Sequence, residues 1–209
     1  MLNRYTSFFM KKIVIALMCT IFATGAAMAQ EKFTFGPKVG VDYTHFWDAD
    51  GDYSGMLSYQ AGLFMEYRFN DRFALAPEVV FAAQGGKQKW IDSGNLEVTT
   101  TSHLNYINVP VMLKLYVVPS KLSFDFGPQV GFNVYKKSTD KWKYEGKSFK
   151  ESDDLKGLKT VDFAIGLGLT YNIADEVFVQ GRYTLGMTKL LDGINTKNGN
   201  AQIAIGYRF

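Results

Sequence analysis

The stretch "YQAGLFMEYRF", Tyr59–Phe69, decides how the chain is read. Tyr59, Ala61, Leu63, Met65, Tyr67 and Phe69 alternate with Gln60, Gly62, Phe64, Glu66 and Arg68. Successive side chains of a strand point to opposite faces, so this spacing builds one greasy face and one face that carries charge. A helix made of the same residues would scatter both sets around its axis.

Working outward, the same period of two recurs and predicts eight strands, near 33–45, 59–69, 73–84, 104–117, 122–135, 161–173, 177–188 and 201–209. Each is close to the length of about 9–11 residues that a tilted strand needs to cross a bilayer. No helical periodicity appears after residue 29. Short connections at Asn70-Asp71-Arg72, Val118–Lys121 and Ala174-Asp175-Glu176 alternate with long ones rich in Gly, Asn, Asp, Ser and Lys. The pattern is that of an all-β, eight-stranded antiparallel up-and-down transmembrane barrel, with short periplasmic turns and long extracellular loops. An even strand count then puts both termini in the periplasm.

Charge placement tests this reading. The charges within the strands are Lys38, Asp42, Glu66, Arg68, Glu78, Lys114, Asp125, Asp162, Arg182 and Arg208, and all fall opposite the apolar face. A Lys or Arg facing lipid costs about 2–4 kcal/mol at the bilayer midplane. A water-soluble barrel with its apolar face turned inward would put the same charges in solvent. Aromatic residues argue against that alternative, since Phe33, Phe35, Tyr67, Phe69, Phe73, Phe124, Tyr171, Tyr207 and Phe209 gather on the apolar face at one end of the strands. Such a girdle suits the boundary between hydrocarbon and headgroup.

The N-terminal part fits export. Lys11 and Lys12 precede an apolar run, Ile13 to Ala23, and Ala27-Met28-Ala29 has the form cleaved by a signal peptidase. Residues 1–29 are expected to be a signal peptide and 30–209 the barrel domain. Removing the signal takes away Arg4, Lys11 and Lys12, which leaves 20 basic residues against 20 acidic. Zero net charge gives no argument for nucleic acid. Cys19, the only cysteine, lies in the signal, so the exported part has no disulfide.

The last stretch, "AQIAIGYRF", puts Ile203, Ile205, Tyr207 and Phe209 on the lipid side and Gln202, Ala204, Gly206 and Arg208 on the lumen side. Its terminal aromatic resembles the signal read by the barrel-assembly machinery of Gram-negative bacteria. Three longer stretches, "FALAPEVVFAAQGGK" at Phe73–Lys87, "YINVPVMLKLYV" at Tyr106–Val117 and "VFVQGRYTLGMTKL" at Val177–Leu190, resemble the PorT-like outer-membrane barrels of Bacteroidetes. The resemblance covers the exported chain and implies fold and outer-membrane location. Members of that family are often called porins and one namesake serves protein secretion, so it implies no single activity. Pro77 and Pro110, inside two of the stretches, need places where a ladder donor can be spared.

An eight-stranded barrel is only wide enough for its own side chains. Five positive and five negative lumen charges therefore predict a plugged interior, with a network among Glu66, Arg68, Glu78, Lys114, Asp125 and Arg182. That network either holds the barrel together or serves permeation. Catalysis has thin support: His45 and His103 fall at the long-connection ends of their strands, the sequence does not bring Ser58 or Ser102 within reach of them, and no enzyme activity is expected. Asp48, Asp50 and Asp52 in "DADGD" are a weak calcium candidate, because the glycine and the following Tyr59 do not fit a calcium loop. No cofactor is expected. The third long connection, Lys136–Leu158, carries Lys141, Trp142, Lys143 and Tyr144 and is the expected recognition surface. Its expected partners are lipopolysaccharide or an envelope or secretion-system protein. The overall expectation is a monomeric structural and surface-interaction protein; small-solute transport, a secretion role and lipid modification are the alternatives.

Overall fold

The computed structural model describes residues 32–48, 53–91, 97–144, 147–154, 159–190 and 195–209. The expected signal at 1–29, and Asp50 and Asp52, lie outside the described residues. Ten strands follow in order: β1 (Phe33–Trp47), β2 (Tyr53–Ser54), β3 (Met56–Arg68), β4 (Phe73–Ile91), β5 (Glu97–Val118), β6 (Leu122–Tyr144), β7 (Lys147–Asp154), β8 (Val161–Asn172), β9 (Val177–Gly186) and β10 (Lys197–Tyr207).

Eight of them form a closed antiparallel ring, β1–β3–β4–β5–β6–β8–β9–β10, with β10 returning to β1. At that seam Lys38 lies opposite Gly206 and Tyr43 opposite Ala201. Closure leaves no sheet edge to be satisfied by solvent. β2 and β7 are additions against β4 and β6.

The wall is inverted relative to a soluble protein. Leu63, Leu167 and Ile203 are 49%, 60% and 68% exposed, while Lys38, Glu66 and Arg182 are 2%, 1% and 5% exposed. This excludes the water-soluble alternative with its apolar face inward. At the end with the short connections, Phe35 packs on Phe209 (ring centroids 5.7 Å) and Phe209 on Tyr207 (5.2 Å), with Tyr67 against Phe69 (5.3 Å) beside them. The turn after β3 closes locally, since Asn70 Oδ1 accepts hydrogen bonds from the amides of Arg72 and Phe73, both at 2.9 Å.

Both prolines sit where the ladder lapses. The β3–β4 pairing is interrupted between Phe64 opposite Glu78 and Tyr67 opposite Leu75, around Pro77, and resumes in the same register. The β5–β6 pairing is likewise interrupted between Pro110 opposite Gln129 and Leu113 opposite Phe126.

Two long connections differ from the expectation. Residues 85–103 and 136–158 were expected as irregular loops, but β4, β5 and β6 run on well past residues 84, 104 and 135, and β7 adds to β6. Lys141, Trp142, Lys143 and Tyr144 therefore belong to a strand. The reason is local: the β-branched run Thr99-Thr100-Thr101 lies opposite Lys141, Asp140 and Thr139 and suits a pleated ladder. A register shift near Asn105 and Tyr106 marks where the wall passes into this extension, and there the successive Val134 and Tyr135 are both exposed. The closing strand starts at Lys197, four residues earlier than expected, and Phe209 continues beyond it, its amide bonded to the Phe35 carbonyl at 2.8 Å.

Candidate functional site

The inward positions of the ring bring distant parts of the chain to one axis. Glu78 on β4 is the centre of one group. Arg182 on β9 holds both its oxygens, Nη2 to Oε1 at 2.6 Å and Nη1 to Oε2 at 3.0 Å, and Lys38 on β1 donates to Oε2 at 2.5 Å. Buried charges of this kind persist only when paired and hydrogen-bonded.

Glu66 on β3 is the centre of a second group, nearer the short connections. It accepts from Arg68 Nε at 2.9 Å and from the Tyr116 hydroxyl at 2.7 Å. Lys114 and Arg208 approach its other oxygen at 3.6 and 3.7 Å. Asp125 on β6 joins the two groups. It accepts from Ser123 at 2.7 Å, Lys114 at 3.5 Å and Gln180 at 3.0 Å, and from Thr170 at 2.5 Å. Gln180 also accepts from Lys38 at 3.0 Å, so the links form one continuous chain. The aromatic Phe178 lies among these charges, edge-on to Phe64 at 4.9 Å and beneath the Arg208 guanidinium at 4.7 Å. Gly206 makes room for it: a Cβ there would stand 2.2 Å from Phe178 Cζ.

All six residues of the expected network lie in these groups, and Lys38 and Arg208 join them. Arg68 is its least buried member, with its side chain 28% exposed. Asp42 and Asp162 stand apart. Asp42 accepts from Gln60 at 2.7 Å, and Asp162 from Asn198 at 3.2 Å. The sequence reading named only charges and missed the neutral connectors Gln60, Tyr116, Thr170, Gln180 and Asn198. Their one signal was position on the inward face.

The remaining candidates are spread over the outer surface. Ile203, Ile205, Tyr207 and Phe209 are all exposed to the outside. Asp48 pairs with Lys197 at 3.0 Å, and Lys197 lies over the Trp47 ring at 4.4 Å. His45 reaches the Tyr183 hydroxyl at 3.2 Å, and His103 lies opposite Lys137 and Gly85. Ser58 donates to the Asp42 carbonyl at 3.4 Å. Among the described residues no serine is hydrogen-bonded to either histidine. In the sheet extension Lys141 is exposed, and Trp142 lies opposite Phe149 on one side and Val98 on the other. Lys143 and Tyr144 continue the strand, their side chains outside the described ones.

In chemical terms the interior can hold paired charge, and the sheet extension can present side chains away from the wall. Similar solved structures include Ail, the attachment invasion locus protein of Yersinia pestis, in complex with the heparin analogue sucrose octasulfate; it is 16% identical over 85% of this chain and 99% of that one, with a TM-score of 0.46. Neisserial surface protein A is 11% identical over 84% of this chain and 97% of that one, with a TM-score of 0.43. CarO of Acinetobacter baumannii is 11% identical over 81% and 97%, with a TM-score of 0.39. No curated protein matches the chain. The family described as outer membrane protein beta-barrel domain matches residues 28–192. With a lipid-facing apolar wall, a ring of eight strands and a charged interior, the chain belongs to that outer-membrane β-barrel family.

Proposed function

We propose that the protein is a monomeric, non-enzymatic outer-membrane barrel, closed by its own interior ion pairs, that acts through the sheet extension at its long-connection end. The observation that carries this reading is the continuous chain of contacts from Glu66 through Lys114, Asp125, Gln180 and Lys38 to Glu78, which together with Thr170 uses side chains from seven of the eight ring strands. A lumen of this width filled in this way leaves no route for a solute. Short turns at the terminal end support a periplasmic position for both termini and an outer position for the extension. There Lys141, Trp142 and the exposed Phe149 offer cationic and aromatic contacts to lipopolysaccharide phosphates or to an envelope protein. The sequence likeness to PorT-like barrels supports the same location and leaves a secretion partner as one form of this role. Ile203, Ile205, Tyr207 and Phe209 then serve the barrel-assembly machinery during insertion.

Two measurements test it. Single-channel recording on the purified protein is expected to give no stable conductance steps; large, lasting steps would overturn the closed lumen. Copurification from intact envelopes, with the full chain and with residues 138–153 replaced by a tight turn, is expected to lose a partner or bound lipopolysaccharide in the shortened form. An identical set of bound components would overturn the recognition role.

A further inference from the structure

The sheet extension sorts its charges by face. β7 pairs with β6, β6 with β5 and β5 with β4, so its rows run across four strands. In the rows that β7 takes part in, the face continuing the lipid-facing wall carries six lysines, at positions 87, 89, 137, 141, 143 and 150, against two acids, Glu97 and Asp154. The opposite face of the same rows carries one lysine, Lys147, against Asp140, Glu151 and Asp153, and its apolar row is Trp90, Val98, Trp142 and Phe149.

Register fixes these faces. β4 and β5 keep one register from Pro77 opposite Val111 to Ile91 opposite Glu97, so their faces do not exchange on leaving the wall. β6 makes one step, at the bulge where Val134 and Tyr135 are both exposed, and from Tyr135 onward its odd-numbered residues continue the outer face. The side chains agree. On the lysine face the Thr139 and Ser152 hydroxyls meet at 3.1 Å and Lys87 and Lys141 are exposed, whereas Val98 on the opposite face is buried. Depth follows from spacing: Lys137 lies two residues and Lys141 six residues beyond Tyr135, about 7 and 20 Å along the strand. An outward ring such as Tyr135 suits the boundary between hydrocarbon and headgroup, so the lysines stand at the level of headgroups.

We propose that the lysine face of the sheet extension holds the phosphate groups of a glycolipid from the leaflet around the barrel. The inference rests on the surface role proposed above and narrows it to one ligand and one face: phosphate lies against the lysines and not against the row with Trp142 and Phe149. Ammonium groups attract phosphate as point charges, without the single fixed geometry of a guanidinium fork. Several on one face reinforce one another, and the acids of the opposite face repel the same ligand. Continuity with the lipid-facing wall favours a phosphate anchored in the membrane over a dissolved one.

The test uses the full exported chain, refolded in detergent, checked for folding by its heat-dependent gel shift, and placed in phosphatidylcholine bilayers that contain a small fraction of lipid A. One set of bilayers has lipid A with its phosphates and another has it dephosphorylated. The lipid A retained per barrel after extraction in mild detergent is measured. The parent protein is expected to retain the phosphorylated form about fivefold or more over the other. Dissolved inorganic phosphate at the same concentration is expected to leave that excess unchanged. Lys87→Gln, Lys137→Gln and Lys141→Gln together should remove most of the excess, and Lys147→Gln on the opposite face should keep it. Equal retention of both forms by the parent, an excess untouched by the triple variant, an equal loss with Lys147→Gln, or displacement by dissolved phosphate would each overturn the site; the first of these depends on no variant. The surface role fails separately: if the extension copurifies a protein while the parent shows no excess of phosphorylated lipid A, that role stands and this inference falls.

Discussion

Arg182 and Glu78, which are 104 residues apart in the chain, meet inside the barrel through two parallel hydrogen bonds, with Lys38 closing on the same carboxylate. This fork is buried on both sides. Its planarity matches the carboxylate, a match that a lysine at position 182 could not reproduce.

Glu78→Gln is therefore expected to cost about 3–5 kcal/mol, because two buried cations lose their counter-charge together. Replacing Lys38, Glu78 and Arg182 jointly by Met, Leu and Met is expected to restore much of that loss. Urea unfolding of the protein in lipid vesicles measures both; a joint variant no better than Glu78→Gln would show that the ion pairs are not the cause.

Gly206→Val should destabilise by about 1–3 kcal/mol, since the added atoms meet the Phe178 ring in a filled interior. Gly181→Ala is the control. A Cβ at Gly181 meets nothing within 4 Å, so its effect should stay within about 0.5 kcal/mol. The difference between the two in the same unfolding assay checks the packing.

Leu167 lies midway along β8 and faces outward. Leu167→Arg should cost about 2–4 kcal/mol in a bilayer, whereas the same change on a water-exposed face would cost little. Folding titrations into vesicles give the value, and a negligible cost would contradict a lipid-facing wall at this point.

Phe209→Ala should slow assembly in cells while changing the unfolding free energy of the finished barrel by less than about 1.5 kcal/mol, because the ring is mostly exposed and rests on Phe35 and Tyr207. Pulse-labelling of the heat-shifted form separates the two effects; equal losses in rate and stability would point to a structural role alone.

The wall was legible in the sequence because lipid enforces its rule at every second residue, as in Tyr59–Phe69. The ten charges could be assigned to the interior for the same reason. Their partners could not be read, because contacts such as Gln180 with Asp125 depend on the register of strands far apart in sequence. The sheet extension was hidden for a different reason. Around Thr99–Ser102 both faces are polar, so no alternation marks a strand that cross-strand pairing nonetheless continues.

The seam between Lys38 and Gly206 joins the first strand to the last. The wall thus has no smaller cylinder to form first and enlarge later: until β10 pairs with β1, two unsatisfied margins persist, and a polypeptide cut short before Lys197 would be left as an open, aggregation-prone ribbon.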